Sequence, residues 1–177
     1  MIRVTVARLG LDSASNSFVV VLHEVEGERF LPIWIGRAEA ESIAAHLQGV
    51  KRERPMTHDL FRATLAALAV SLESVAITRV EASTFFALLH LRRGAERWAV
   101  DARPSDAIAL AVRTDAPLFV AEELLLLPDA EADASEFLLD DTGPPAFGPE
   151  SPPPTPAESL QQYLSSLRPE DFGKFRP

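Results

Sequence analysis

Residues 97–120 read RWAVDARPSDAIALAVRTDAPLFV, and this stretch passes from a strand to a helix and back to a strand. Residues 97–101 are predicted as a strand and residues 118–120 as a second, short one. Between them Pro104 suits the first turn of a helix, because its missing N–H costs little there. A helix set between strands favours a domain that mixes the two classes of element.

The rest of the first 127 residues supplies more strands and two more helices. Pro32 would remove a ladder hydrogen bond in mid-sheet, so its strand is predicted at a sheet edge or a bulge. The order of elements predicts an α+β (mixed α/β) fold: a single compact domain whose mixed, largely antiparallel sheet is flanked by helices. Strands are predicted at residues 2–9, 18–25, 29–35, 72–80 and 85–92, and helices at residues 37–48 and 57–69.

The C-terminal part of the chain differs in composition from the rest. Residues 1–127 hold 14 Lys+Arg and 16 Asp+Glu, whereas residues 128–177 hold 3 and 10, together with 10 of the 14 prolines. Residues 1–127 are predicted to form the domain, residues 128–157 an acidic Pro-rich linker, and residues 158–177 a C-terminal helix and tail. The net charge of −9 therefore says little about the partners of the domain, which is nearly neutral.

The composition excludes several classes of protein. With 47% hydrophobic and 24% charged residues, the chain is neither wholly disordered nor a collagen-like or coiled-coil rod. The absence of cysteine excludes disulfides, thiol catalysis and Cys-ligated zinc. No apolar run reaches the roughly 18 to 20 residues that cross a bilayer, and the first residues lack the pattern of a signal peptide. We therefore predict a cytoplasmic protein with no membrane partner.

Two polar clusters at predicted helix starts carry the strongest chemical signal. Residues 54–60 read RPMTHDL and residues 101–107 read DARPSDA, so each cluster places an Arg, a hydroxyl and an Asp beside a helix N-terminus. Free backbone N–H groups and Arg favour an anion or a phosphate, and Asp carboxylates favour a hard cation such as Mg²⁺. Together they suit metal-assisted cleavage of a phosphodiester. The signatures GxxxxGK[ST], GxGxxG, HExxH and GxSxG are absent.

The charged residues of these clusters also have a purely structural interpretation. Asp59 and Asp106, each in a first helical turn, would stabilise the helix dipole. Arg103 could pair with either aspartate as a structural salt bridge. His58 lies on one helical stripe with apolar residues, so a packed, hydrogen-bonded core histidine is as compatible with the pattern as a metal ligand or a base.

Several further residues are assigned structural roles. Thr57 and Ser105 are expected to be the N-caps of their helices. Trp34 and Trp98 lie in strand patterns and are expected in the core. A polar face of the first predicted helix, expected to be solvated, consists of Glu39, Ser42 and His46.

The same stretches carry a resemblance to a known family. The matching blocks are residues 31–36 (LPIWIG), 39–40 (EA), 54–60 (RPMTHDL), 101–111 (DARPSDAIALA), 116–123 (APLFVAEE) and 167–172 (LRPEDF). In these blocks the sequence resembles the bifunctional nuclease domain family, and the DARPSDA block is long and specific. The resemblance implies a compact mixed α/β domain that forms homo-oligomers, and cleavage of both RNA and DNA. The family's shared polar positions correspond here to Glu39, Arg54, His58, Asp59, Asp101, Arg103, Ser105 and Asp106.

The leading hypothesis is a nuclease that hydrolyses RNA, DNA or both with the help of Mg²⁺ or Mn²⁺. The alternative is a non-catalytic, oligomeric regulatory or anionic-ligand-binding module. The predicted partners are RNA and DNA and further copies of the chain. The residues predicted for catalysis are His58, Asp59, Asp101 and Asp106. The residues predicted to bind phosphate are Arg54, Arg103 and Ser105. The residues predicted to bind the metal are Asp101, Asp106 and Glu39.

Overall fold

A seven-stranded sheet and three α-helices build the part of the protein that the structure describes. The computed structural model describes residues 1–12 and 17–127. The fold class predicted from the sequence is confirmed, since strands and helices form a single compact α+β domain. The strands are β1 Ile2–Asp12, β2 Ser17–Glu24, β3 Phe30–Ile35, β4 Ser71–Glu81, β5 Thr84–Arg93, β6 Glu96–Ala102 and β7 Leu118–Val120. The helices are α1 Arg37–Leu47, α2 Thr57–Ala67 and α3 Pro104–Thr114.

The sheet joins two antiparallel meanders through its shortest strand. Its order is β3-β2-β1-β7-β4-β5-β6. Antiparallel pairing of successive strands makes β1, β2 and β3 one meander and β4, β5 and β6 the other. β7 pairs antiparallel with β1 and parallel with β4, which makes the sheet mixed. Pro32 lies in the edge strand β3, where its missing N–H faces no further strand.

The central helix of the fold is α3, which packs against α1, α2 and the strands β4 and β5. Ile108 and Ala111 of α3 are buried, as the apolar pattern predicts. They meet a core of buried strand residues that includes Val75 and Ile77. This packing holds the start of α3 beside α1 and α2, and so fixes the position of the second polar cluster relative to the first.

Both tryptophans lie at the surface, so the prediction that they belong to the core is wrong. Trp34 is 48% exposed and Trp98 40% exposed. The cause is their position in β3 and β6, the two edge strands of the sheet. The indole N–H of Trp34 donates to Oδ2 of Asp12 at 3.1 Å, and the guanidinium of Arg93 lies over the ring of Trp98 at 5.6 Å.

The two predicted hydroxyl caps are also wrong. Met56 is the N-cap of α2, and the carboxylate of Asp59 accepts its backbone N–H at 3.1 Å. Arg103 is the N-cap of α3, because the residue before a proline is driven to an extended conformation and Pro104 then begins the helix. Ser105 is therefore inside the first turn, where it is buried.

Two predictions fall beyond the described ranges. The linker at residues 128–157 and the C-terminal helix and tail at residues 158–177 lie outside the described residues, so the domain limit at residue 127 stays a prediction. Within the described ranges, none of the helices has the length and apolar character that a membrane crossing requires.

Candidate functional site

A cleft between α1, α2 and the start of α3 brings the two polar clusters together. Its volume is about 320 Å³. It collects side chains from three helices because α1 and α2 both pack against α3. Its charged and hydrogen-bonding lining includes Glu39, Ser42, His58, Asp59, Arg103, Asp106 and Arg113.

His58 lies at the centre of a hydrogen-bonded chain across the cleft. Its Nε2 is 3.1 Å from Oδ1 of Asp106, and its Nδ1 is 2.9 Å from Oγ of Ser42. An ionised carboxylate can only accept, so in the neutral ring Nε2 carries the proton and Nδ1 accepts from the Ser42 hydroxyl. The side chain of His58 is 14% exposed, so the ring is largely shielded from water but still borders the cleft.

Asp106 is kept ionised by its neighbours. Burial raises its pKa, but the hydrogen bonds from Arg103 and His58, together with the charge beside the carboxylate, outweigh burial, and the net effect is a pKa below the ordinary value of an aspartate. Nε of Arg103 lies 2.8 Å from Oδ2 of Asp106. The carboxylate therefore serves as the acceptor that orients the ring of His58.

Arg103 bridges two carboxylates at the mouth of the cleft. Its Nη2 is 2.8 Å from Oε1 of Glu39 and 3.2 Å from Oδ1 of Asp106. Its side chain is 67% exposed, and its Nη1 donates to no group within residues 1–12 and 17–127. This guanidinium can therefore contact an anionic ligand while it stays paired with the protein.

Arg113 is the buried counterpart of Arg103. Its side chain is 4% exposed, and its Nε donates to Oδ1 of Asp59 at 2.7 Å. Its Nη2 donates to the carbonyl oxygen of Ser42 at 2.9 Å and to Oγ of Ser42 at 3.1 Å, and its Nη1 donates to the carbonyl oxygen of Ala109 at 2.9 Å. The hydrogen bond from Arg113 lowers the pKa of Asp59 although burial opposes it. One guanidinium thus ties the three helices together.

Three of the residues predicted for the site are not brought into the cleft. Asp101 lies in β6 opposite Leu88, and side chains alternate along a strand, so it is on the other sheet face from buried Ala87. Arg54 is exposed in the loop before α2 and makes no hydrogen bond or ion pair with any described residue. Ser105 is 7% exposed and does not line the cleft.

Two residues of the cleft were missed by the sequence analysis. Ser42 was placed on a solvated face, and Arg113 received no role. The spacing in the sequence does indicate Arg113. It lies seven residues after Asp106 and therefore on the same face of a largely apolar helix. Ser42 follows Glu39 by three residues, so both lie on the face of α1 that lines the cleft.

The side chains of the cleft fit a metal ion poorly as they are arranged. In the described part of the chain, no three His, Asp or Glu side chains are grouped so that they could hold a metal. Two of the predicted ligands, Glu39 and Asp106, are both paired with Arg103, and the third, Asp101, does not line the cleft. The binding of Mg²⁺ or Mn²⁺ stays a prediction.

Comparison with known proteins supports the resemblance found in the sequence. The model of the family described as the bifunctional nuclease domain matches residues 20–132. Two uncharacterized proteins of Mycobacterium tuberculosis, from the strains CDC 1551 / Oshkosh and H37Rv, are each 37% identical in an alignment of 175 residues that covers 96% of this chain and 96% of the relative. The match spans the described strands and helices from β2 to β7. The chain therefore belongs to the bifunctional nuclease domain family.

Proposed function

We propose that this protein is a nuclease that hydrolyses phosphodiester bonds of RNA, DNA or both in the cleft between α1, α2 and α3. The observation that carries the proposal is the hydrogen bond of 3.1 Å between His58 and Asp106, which unites the two polar clusters at one place. Family membership supports the same reaction class, because the family is described as a nuclease domain.

His58 has the placement of a proton acceptor. A base needs a ring nitrogen that carries no proton and faces the reacting group, and a carboxylate on the opposite nitrogen holds the ring proton on that other side. Asp106, ionised through its contacts with Arg103 and His58, is that carboxylate and acts as a positioning residue. A group of this kind typically contributes about 10²–10⁴-fold to a reaction rate.

Arg103 has the placement of a phosphate-binding group. Its unused Nη1 and high exposure suit a contact with a non-bridging phosphate oxygen at the cleft mouth. A fixed positive charge at that place would stabilise the negative charge that builds on phosphorus during attack. Contact with phosphates, not with bases, predicts binding with little sequence preference.

One observation favours the alternative, a non-catalytic module that binds an anionic ligand. In the described residues every buried side-chain polar atom has a hydrogen-bond partner, and the Arg103, Arg113 and Asp106 groups all pair with one another or with neighbours. A structural ion-pair network would give the same geometry. In that case the cleft would bind phosphate groups through Arg103 and leave them intact.

The test is cleavage of end-labelled single- and double-stranded RNA and DNA by the full chain, in Mg²⁺, in Mn²⁺ and in EDTA. Asp106→Asn should reduce cleavage about 10²-fold or more, because an amide no longer fixes the proton on Nε2 of His58. Asp115→Asn is the matched control, since Asp115 ends the same helix outside the cleft. Equal cleavage by wild type and Asp106→Asn would refute the proposal. Binding without cleavage in every condition would favour the alternative.

Three further properties stay predictions. The EDTA arm measures whether the reaction needs the Mg²⁺ or Mn²⁺ that the sequence predicts. Self-association, which the family resemblance implies, is addressed by the mass of the particle in solution. A cytoplasmic location follows from the sequence alone and would be measured by fractionation of the source cells.

A further inference from the structure

Both ring nitrogens of His58 are already engaged by the protein. Nε2 faces Asp106 and Nδ1 faces Ser42, at 3.1 and 2.9 Å. With Nε2 carrying its proton toward the carboxylate, only Nδ1 can accept another one. The proton nearest to it is that of the Ser42 hydroxyl, and a water molecule could reach Nδ1 only by displacing this hydroxyl.

Of its two side-chain neighbours His58 and Arg113, the Ser42 hydroxyl can donate its hydrogen only to His58. Arg113 is a pure donor, and its Nη2 already donates to Oγ of Ser42 at 3.1 Å. The hydroxyl therefore accepts from Arg113 and donates to His58. Ser42 is partly exposed and lines the cleft, which places it beside the space that a bound substrate would occupy.

We infer that Ser42 is a nucleophile activated by His58, and that it attacks phosphorus to form a phosphoserine intermediate. The Ser42, His58 and Asp106 chain has the order of a nucleophile, a base and the group that orients the base. Arg113 adds a positive charge beside the oxygen, which stabilises the negative charge that grows on Oγ as its proton leaves. The nature of the substrate rests on the proposed function, whereas the activation of Ser42 rests on these contacts alone.

The reaction balances with water as the only further reactant. Oγ of Ser42 forms a bond to phosphorus and passes its proton to Nδ1 of His58. The bond from phosphorus to the leaving oxygen breaks on the side opposite Oγ, and that oxygen takes a proton from water as it departs as an alcohol. The hydroxide so formed attacks the phosphoserine from the same side. Oγ leaves, regains its proton from His58, and a phosphate monoester is released.

The first experiment measures the activation of Ser42 without reference to any nucleic acid. The full chain is incubated with a fluorophosphonate, which phosphonylates activated serines, and the product is analysed by intact mass and peptide mapping. A single adduct on Ser42 is expected, formed about 100-fold more slowly in His58→Gln. No adduct on the wild type, an adduct only elsewhere, or an equal rate in His58→Gln would overturn the inference.

Matched variants separate activation from folding. Ser42→Ala should lose the adduct, and Ser74→Ala, at a serine of β4 outside the cleft, should keep it. His90→Gln, at a histidine of β5 outside the cleft, should label at the wild-type rate. Circular dichroism and thermal melting establish that each variant is folded. Persistence of the adduct at the wild-type rate in Ser42→Ala would overturn the inference.

The second experiment follows the phosphorus atom through the reaction. Hydrolysis of a phosphorothioate diester of known configuration in ¹⁸O-labelled water, which makes the product chiral at phosphorus, should proceed with retention, because two displacements at phosphorus restore the starting configuration. Inversion, or a Ser42→Ala variant that cleaves like the wild type, would show attack by water and overturn the inference. The protein could form the adduct on Ser42 and yet cleave neither single- nor double-stranded RNA or DNA. That result would refute the proposed function but would still support the activation of Ser42.

Discussion

Nε of Arg113 lies 2.7 Å from Oδ1 of Asp59, so the last turn of α3 is bound to the first turn of α2. The guanidinium is almost fully buried, with 4% of its side chain exposed, while the carboxylate is 32% exposed. Because the same guanidinium also binds the backbone carbonyl of Ser42, three helices depend on one side chain. The pair is therefore a structural element on which the geometry of the cleft depends.

Replacement of Arg113 should be strongly destabilising. Arg113→Met leaves Asp59 without its charge partner and removes the side-chain hydrogen bonds that join α3 to α1 and α2, and loss of one member of a buried pair costs about 3–5 kcal/mol. Arg103→Met is the matched control, because Arg103 is mostly exposed and exposed pairs contribute about 0–1 kcal/mol. Urea unfolding at neutral pH measures both. Similar losses for the two variants would contradict the structural role of Arg113.

The same pair predicts how stability depends on pH. The hydrogen bond from Arg113 gives Asp59 a lower pKa in the folded protein than in the unfolded chain. The unfolded chain then binds more protons in that range, so stability rises with pH. The contribution of Asp59 is complete above its ordinary pKa of about 3.9 and is lost as the pH falls through the lower, folded value.

The variant Asp59→Asn isolates this contribution. It should be less stable than the wild type at pH 6, and the difference should shrink as the pH is lowered through 4 toward 3. Asp115→Asn is the control, since Asp115 is exposed and lies outside this network. Unfolding in urea at a series of pH values measures all three proteins. A constant difference between Asp59→Asn and the wild type across the series would show that the pair does not stabilise the fold through ionisation.

The fold could be predicted largely from patterns within single elements. Apolar alternation located the strands, and the 3.6-residue period located α1 and α2 to within two residues, whereas only the start of α3 was predicted. The position of each strand in the sheet is a property of the whole chain, and this is why Trp34 and Trp98 were misplaced. Pro32 is the exception, because its missing N–H marks an edge directly.

The site could be predicted only in part, for the same reason. Helix starts are visible in the sequence, so His58, Asp59, Arg103 and Asp106 were found as candidates. The spacing from Asp106 places Arg113 on the cleft face of α3, but its partners in the other helices are 54 and 71 positions away, and no local spacing identifies them. Asp101 was assigned to the site because it is close to Asp106 in sequence, but β6 directs it to the opposite face of the sheet.

Arg103 should control the salt dependence of nucleic-acid binding. If it contacts one phosphate, Arg103→Gln should weaken binding to all sequences about equally and reduce the slope of log affinity against log salt by about one. Fluorescence anisotropy with a labelled oligonucleotide measures the slope. Arg79→Gln is the control, because Arg79 is equally a paired surface arginine but lies in β4 outside the cleft. An unchanged slope for Arg103→Gln would exclude a phosphate contact at this residue.

Glu39 should oppose the same binding. Its carboxylate is 17% exposed and lies 2.8 Å from Nη2 of Arg103, so it neutralises part of the charge that a phosphate would meet. Glu39→Gln should therefore tighten binding severalfold at low salt, and by less at high salt, where charges are screened. Glu81→Gln, which frees Arg79 outside the cleft, is the matched control. Weaker binding by Glu39→Gln would mean that Glu39 positions Arg103 and does not compete with the ligand.

The outer face of α2 offers a test of the predicted self-association. Leu65 packs into the core at 9% exposure, whereas Leu60, Phe61 and Leu68 are 57%, 43% and 57% exposed. Apolar side chains grouped on one helix face are typical of contacts between chains. The double variant Leu60→Arg/Phe61→Arg should lower the mass in light scattering toward the 19.3 kDa of one chain, whereas Val80→Arg, at an exposed valine of β4, should not. A wild-type protein already at 19.3 kDa would refute self-association, and an unchanged oligomer in the double variant would move the interface away from α2.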